Sequence, residues 1–268
     1  MDTKAETPEI REELKGPGRL SRMFITLYDV FQFVMRFFKE GFLPPYEGKE
    51  LMKQCYDIGY RSLALISLTG FITGVVFTKQ SRPSLAEFGA TSWLPSLVGI
   101  ALLRTLAPLL TSLIAAGKVG SSIGAELGSM RVTEQIDAME VSATNPFKFL
   151  VTTRVLAATI TIPILTFYTA LVGMLGSLLN VAIGEGTSAK LFFQASLESI
   201  TFLDITASTI KAIIFGFTIG MVGCYQGYNS SKGTEGVGKA ANSSVVIGMF
   251  LIFIEEVISV QFFGLFRS

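Results

Sequence analysis

Five stretches of the chain are apolar for long enough to cross a bilayer, and short polar segments separate them. They run from about Ile58 to Phe77, Leu94 to Ala116, Phe149 to Ile183, Phe202 to Tyr225 and Val245 to Phe266. Each reaches the ~18 residues expected of a spanning helix. The runs are continuous rather than alternating, which argues against the period of a membrane barrel. The third would be roughly 50 Å of helix at ~1.5 Å per residue, so it must tilt, bend at Pro163 or project into water.

A different pattern precedes them. From Ser21 to Phe42 the polar positions Arg22, Asp29, Gln32, Arg36 and Lys39 fall in one stripe at a helical period. Phe24, Leu27, Phe31, Val34, Phe37 and Phe38 fill the rest. This predicts an interfacial helix lying along the membrane, because a spanning placement would put Asp29 and Arg36 deep in lipid. Pro44 and Pro45 end it. Residues 1–20 are polar and acidic without an apolar core region, which predicts a disordered cytoplasmic tail and not a signal peptide. The expected organisation is therefore a tail over 1–20, an interfacial helix over 21–43 and a five-span domain over 44–268.

Composition agrees. Half of the 268 residues are hydrophobic and only 16% are charged, against about a quarter in soluble domains. A net charge of +1 offers no case for nucleic acid. The chain has no His, the commonest metal ligand and general base, and Cys55 and Cys224 lie in no metal-ligand spacing. No nucleophile elbow or acid–base set is visible, so neither catalysis nor a cofactor is expected of the chain itself. Lys49, Lys53, Arg61, Lys118, Arg131, Lys148, Arg154, Lys232 and Lys239 flank one set of span ends. Lys79, Arg82, Lys190 and Arg267 flank the other, offset by Glu87, Glu185 and Glu198. The bias places the N-terminus in the cytoplasm and the C-terminus outside.

One cytoplasmic segment is unlike its surroundings. "GAELGSMRVTEQIDAMEV", Gly124 to Val141, carries Glu126, Arg131, Glu134, Asp137 and Glu140 between two apolar runs. Taken as a helix from Arg131 to Val141, it puts Val132, Ile136 and Met139 on one arc and Glu134, Asp137 and Glu140 on another. It is too short and too charged to enter lipid. It either covers the end of the bundle or docks a partner whose motion it passes to the spans.

Several charges fall inside the apolar runs: Arg104 in the second, Lys211 in the fourth, Glu255 and Glu256 in the fifth. At ~1.5 Å per residue all four sit roughly 10–17 Å below the outer surface. They either pair to tie spans together or line a cavity in which Arg104 or Lys211 meets a lipid phosphate. Glu255 and Glu256 diverge by about 100°, so at most one readily faces such a cavity. "GTEGVGKA", Gly233 to Ala240, has P-loop spacing, but Ala240 replaces the Mg²⁺-binding Ser or Thr and no strand precedes it. A glycine-rich cytoplasmic turn is expected there. "GFITG", "GMLGS" and "GFTIG" are small-residue motifs suited to tight helix packing or a dimer seam.

The stretch "GKVGSSIGAELGSMRVTEQIDAMEVSATNPFKFLVTTRVLA", with "LLRTLAPLL" before it and "KAIIFGFTIGMVGCYQGYNSSKGTEGVGKA" after it, resembles the signature region of MlaE-type permeases, and the resemblance extends over about Tyr28 to Phe263. These are the membrane subunits of ABC transporters that work with MCE proteins. The resemblance implies a homodimer with an interfacial helix and five spans per subunit. It implies that residues of about 126–141, with Arg131, Glu134, Asp137 and Glu140, form a coupling helix seated on a separate cytoplasmic ATP-binding subunit. It also implies that phospholipid moves between the bacterial inner membrane and an MCE-domain partner, with Arg104, Lys211, Glu255 and Glu256 as lipid-pathway candidates. One departure stands out: members often carry Glu after "LLR", where this chain has Thr105.

Two rivals make different demands. An ion-coupled secondary transporter predicts inverted repeats with broken helices at the midplane, and five spans do not divide into two equal halves. An intramembrane enzyme using Glu255 and Glu256 as acid and base needs both to flank one substrate, which adjacent helical positions do not allow.

Overall fold

The computed structural model describes residues 19–41, 44, 47–185, 188–231 and 233–265. Most of the expected tail, Lys232 and Arg267 lie outside the described residues. The chain divides after Pro44 into two units. The first holds α1 (Arg19–Gly41), which exposes Phe24, Leu27, Phe31 and Met35 and carries an Arg36–Glu40 ion pair at 2.7 Å.

The second unit holds the remaining helices: α2 (Gly48–Glu87), α3 (Thr91–Val132), α4 (Gln135–Val141), α5 (Phe147–Ile183), α6 (Ala189–Glu198), α7 (Phe202–Tyr228) and α8 (Thr234–Leu265). Five of them, α2, α3, α5, α7 and α8, are long and apolar enough to cross a membrane. There is no strand among the described residues. The chain is an all-α, multi-pass membrane protein. Pro163 lies inside α5 without interrupting it. At 40 and 42 residues, α2 and α3 exceed the ~20 residues a bilayer core needs, so both project beyond it.

Glycines set the closest helix contacts. A Cβ on Gly74 would collide with the Gly173 carbonyl, and one on Gly176 with the Phe71 carbonyl, so α2 and α5 meet backbone to backbone. Ser177 Oγ donates to the Gly74 carbonyl at 3.0 Å across the same seam, and Thr111 and Thr169 hydroxyls bond at 2.6 Å between α3 and α5. The small-residue motifs thus serve packing within one chain. Farther on, a Cβ at Gly220 would lie 2.9 Å from Val155 Cα of α5, and one at Gly227 would lie 2.7 Å from Leu127 Cβ of α3. Helix α7 is wedged between the two.

Two expectations need correction. The single helix over Arg131 to Val141 is broken: α3 runs on to Val132, Glu134 turns into the left-handed region at φ 58°, and α4 begins at Gln135. A second left-handed residue, Ala143 at φ 58°, follows α4. The glycine-rich turn over Gly233 to Ala240 is mostly helix. Only Gly233, at φ 99°, is a turn; from Thr234 the chain is already α8. Gly236 is there for contact, since a Cβ would strike the Ser231 carbonyl.

Candidate functional site

The polar centre of the bundle is built around a local defect in α3. Pro108 has no N–H, so α3 lacks one backbone donor for the carbonyls of the preceding turn. The helix widens into a π turn over Leu102–Leu106 at this point. A freed carbonyl in an apolar bundle must find a donor. Lys211 of α7 supplies it: Nζ donates to the Arg104 carbonyl at 3.1 Å and to Glu256 Oε1 of α8 at 2.7 Å. Both partners are nearly dry, with side chains 3% and 10% exposed. Neighbouring Glu255 points elsewhere, accepting from Thr218 Oγ1 of α7 at 2.5 Å. The two acids diverge as their adjacency demands, and it is Glu256 that meets the cation.

Arg104 itself pairs with Asp204, at 3.0 Å from both Nε and Nη2 to Oδ1. Asp204 is fixed in turn by the start of α7. Its Oδ2 accepts from the Thr201 backbone N–H at 3.1 Å and from Thr201 Oγ1 at 2.8 Å, a capping box at a helix end that favours negative charge. The carboxylate is buried, whereas the Arg104 side chain stays 32% exposed. Arg104 lines two cavities. One, of about 750 Å³, is walled by Phe77, Leu85, Trp93, Leu97 and Ile100, with Arg104 and Thr105 at its polar edge. The other, of about 370 Å³, includes Asp204, Lys211, Ser259 and Phe263. An apolar cavity with one cation at its margin suits an amphiphile with an anionic head.

At the other end, α4 presents Glu134, Asp137 and Glu140 to solvent while Ile136 is fully buried and Val132 and Met139 are half-buried. Arg131 Nη1 bonds Asp137 Oδ1 at 2.6 Å, bridging the left-handed corner. The arcs read from the sequence therefore survive the break in the helix.

The family model for the permease MlaE matches residues 51–262. The chain belongs to this family. Among its relatives, a probable ABC transporter permease protein of Rickettsia typhi is 37% identical over 80% of this chain and 82% of its own length. A probable ABC transporter permease protein of Synechocystis is 35% identical over 78% of this chain and 79% of its own. The chloroplast protein trigalactosyldiacylglycerol 1 of Arabidopsis thaliana is 32% identical over 80% of this chain and 61% of its own. This MlaE-family chain is a membrane permease subunit of the ABC transporter class, which implies an ATPase partner.

The structure brings Arg104, Lys211 and Glu256 of this permease together and leaves Glu255 on Thr218. Sequence reasoning missed Asp204 as the partner of Arg104 and looked to the fifth span for its anion. The signal was present: "TFLD", Thr201 to Asp204, is a capping-box spacing ahead of an apolar run. It also missed Pro108 as the cause of the defect that Lys211 fills.

Proposed function

We propose that this chain is the permease of a lipid-moving ABC transporter, working as a homodimer in the bacterial inner membrane. It passes phospholipid between that membrane and an MCE-domain partner, driven by ATP hydrolysis in the separate cytoplasmic subunit. The observation that carries this reading is the placement of Arg104, a partly exposed guanidinium at the edge of an otherwise apolar cavity of about 750 Å³. In this reading acyl chains occupy the apolar walls and Arg104 meets the lipid phosphate. The buried Lys211–Glu256 pair holds the Arg104 backbone in place, and Glu255 braces α8 on α7. The Arabidopsis relative, which carries the name of a glycolipid, supports a lipid substrate.

The other placements rest on the charge bias along the chain for orientation, on the amphipathic stripe of α1, and on the family resemblance for the coupling role of α4. The N-terminus and α4 face the cytoplasm, with α4 as the coupling helix docked through its exposed acids; α1 lies in the interface; the C-terminus is periplasmic. The apolar stripe Val246, Phe250, Phe253 and Val257, exposed at helical spacing on α8, offers a face for the second subunit or for lipid.

The test separates phosphate binding from pairing with Asp204. Arg104→Met should lower the phospholipid recovered with the purified dimer, read by mass spectrometry. Adding Asp204→Asn removes the stranded carboxylate and should restore yield and thermal stability, but not lipid. Full lipid occupancy in a folded Arg104→Met, Asp204→Asn double variant would sink the phosphate role.

A further inference from the structure

Arg154 belongs neither to the cavity nor to the docking face, yet it is only 2% exposed. It stands in α5 just after the π turn Phe147–Thr152 that opens the helix. Its Nη1 donates to the Leu150 carbonyl at 3.0 Å, within its own helix. Its Nη2 crosses to Glu126 Oε1 of α3 at 2.8 Å. Its buried Nε has no hydrogen-bond partner among the described residues.

This is an expensive way to fill space, since an apolar side chain would pack there without a charge to compensate. Nor is it a sealed core pair, because the Glu126 side chain is 51% exposed. A buried cation reaches outward to a carboxylate near the cytoplasmic end of α3. From Glu126 the chain runs six residues to Val132, turns at Glu134 and enters α4, which is seated by the buried Ile136. The end of α3 is thus gripped by α4 on one side and by Arg154 on the other. The far anchor adjoins a π turn, an irregularity found frequently at functional sites.

We infer that Arg154 and Glu126 form a strap that carries movement of α4 from α3 into the start of α5, a positioning pair for the transport cycle and not for docking. The inference rests on α4 being the coupling helix. The strap links the two helices flanking α7, which itself packs closely on both: a Cβ at Gly223 would lie 3.2 Å from Ile123 of α3, and Cys224 Sγ sits 3.9 Å from the Val151 carbonyl of α5.

The experiment uses the permease assembled with its ATP-hydrolysing partner, in detergent and in vesicles of phosphatidylethanolamine and phosphatidylglycerol. The readouts are the partner co-purified and the increment in ATP hydrolysis on vesicle reconstitution. Glu126→Gln and Arg154→Gln should co-purify with the partner as the parent does. Both should lose the lipid-stimulated increment by at least about fivefold, the lower end of common coupling effects. The double variant should lose no more than either single, and Glu126→Asp should recover part of the increment. Should Arg154→Gln fail to fold, Glu126→Gln, at a half-exposed position, carries the test alone. An unchanged increment in Glu126→Gln with the partner bound overturns the strap and leaves docking through α4 standing. Loss of the partner in Glu126→Gln overturns it too, by giving that residue a docking role. A Glu134→Lys, Asp137→Lys variant that keeps its partner and its increment overturns the coupling-helix reading and the strap with it.

Discussion

Replacing Lys211 by Met removes a cation that serves two acceptors at once, Glu256 Oε1 at 2.7 Å and the Arg104 carbonyl at 3.1 Å. Methionine nearly matches the lysine stem, so a cavity contributes little. The loss is electrostatic. Breaking a buried ion pair by removing one member costs about 3–5 kcal/mol, because the surviving charge is left uncompensated. The Arg104 carbonyl, which Pro108 cannot serve, adds about 1–3 kcal/mol as an unsatisfied acceptor. An ordinary interhelical hydrogen bond in a membrane protein averages only ~0.6 kcal/mol, so the stranded carboxylate should dominate. In a chain of this size ~1 kcal/mol moves a thermal midpoint by roughly 2–4 °C, which puts the Lys211→Met shift at about 10 °C or more. The assay is thermal unfolding of purified protein at fixed detergent and lipid, beside a Lys211→Met, Glu256→Gln double variant. The double variant lacks the stranded charge and should recover half or more of the loss, leaving mainly the orphaned carbonyl. Equal losses in single and double variants would refute the ion pair as the source of the stability.

Three further outcomes are expected. Gly74→Leu should cost at least about 1–3 kcal/mol by forcing α2 off the Gly173 carbonyl, and parent-like yield and thermal midpoint would dismiss the seam. Reversing Glu134 and Asp137 to Lys should reduce co-purification of the ATPase while leaving insertion intact, since like charges across an interface cost several kcal/mol; unchanged co-purification would make α4 a mere cover. Lys239→Ala should leave ATP hydrolysis by the assembled complex intact, because Lys239 is an exposed residue on the first turns of α8; a loss as large as removing the ATPase would return the "GVGKA" segment to nucleotide binding.

Much of the architecture was legible because it depends on local composition. Five apolar runs between polar segments need no knowledge of the fold, and bilayer thickness turns each into a helix. The limits of the helices were less legible. Apolar patterning ends where lipid ends, but α3 continues as helix from Ala116 to Val132 in a more polar stretch, held by α7 and α8. Glycine misled in the opposite direction. At Gly236 it looked like punctuation and is instead a contact surface, which only the neighbouring backbone reveals. Glu134 in the left-handed region has no signature, since Asn or Gly would be the usual occupant. The Arg104–Asp204 pair spans a hundred positions, and nothing local selects Asp204 over Glu255 or Glu256. What could have narrowed the choice is the capping box, which fixes Asp204 at the top of α7, and Pro108, which marks where α3 needs an outside donor.

The two corners around α4 have a mechanical meaning. Glu134 and Ala143 both hold φ near 58° without being glycine, each at a cost of order 1–2 kcal/mol. A flexible tether would place glycine at both points and let the short helix swing. With side chains there, each corner has fewer accessible backbone angles than glycine would allow, which stiffens both ends of the short helix. If α4 is the coupling helix, as proposed, torque on its outer face would meet two corners that do not depend on glycine, a stiffness kept at the expense of some folding stability.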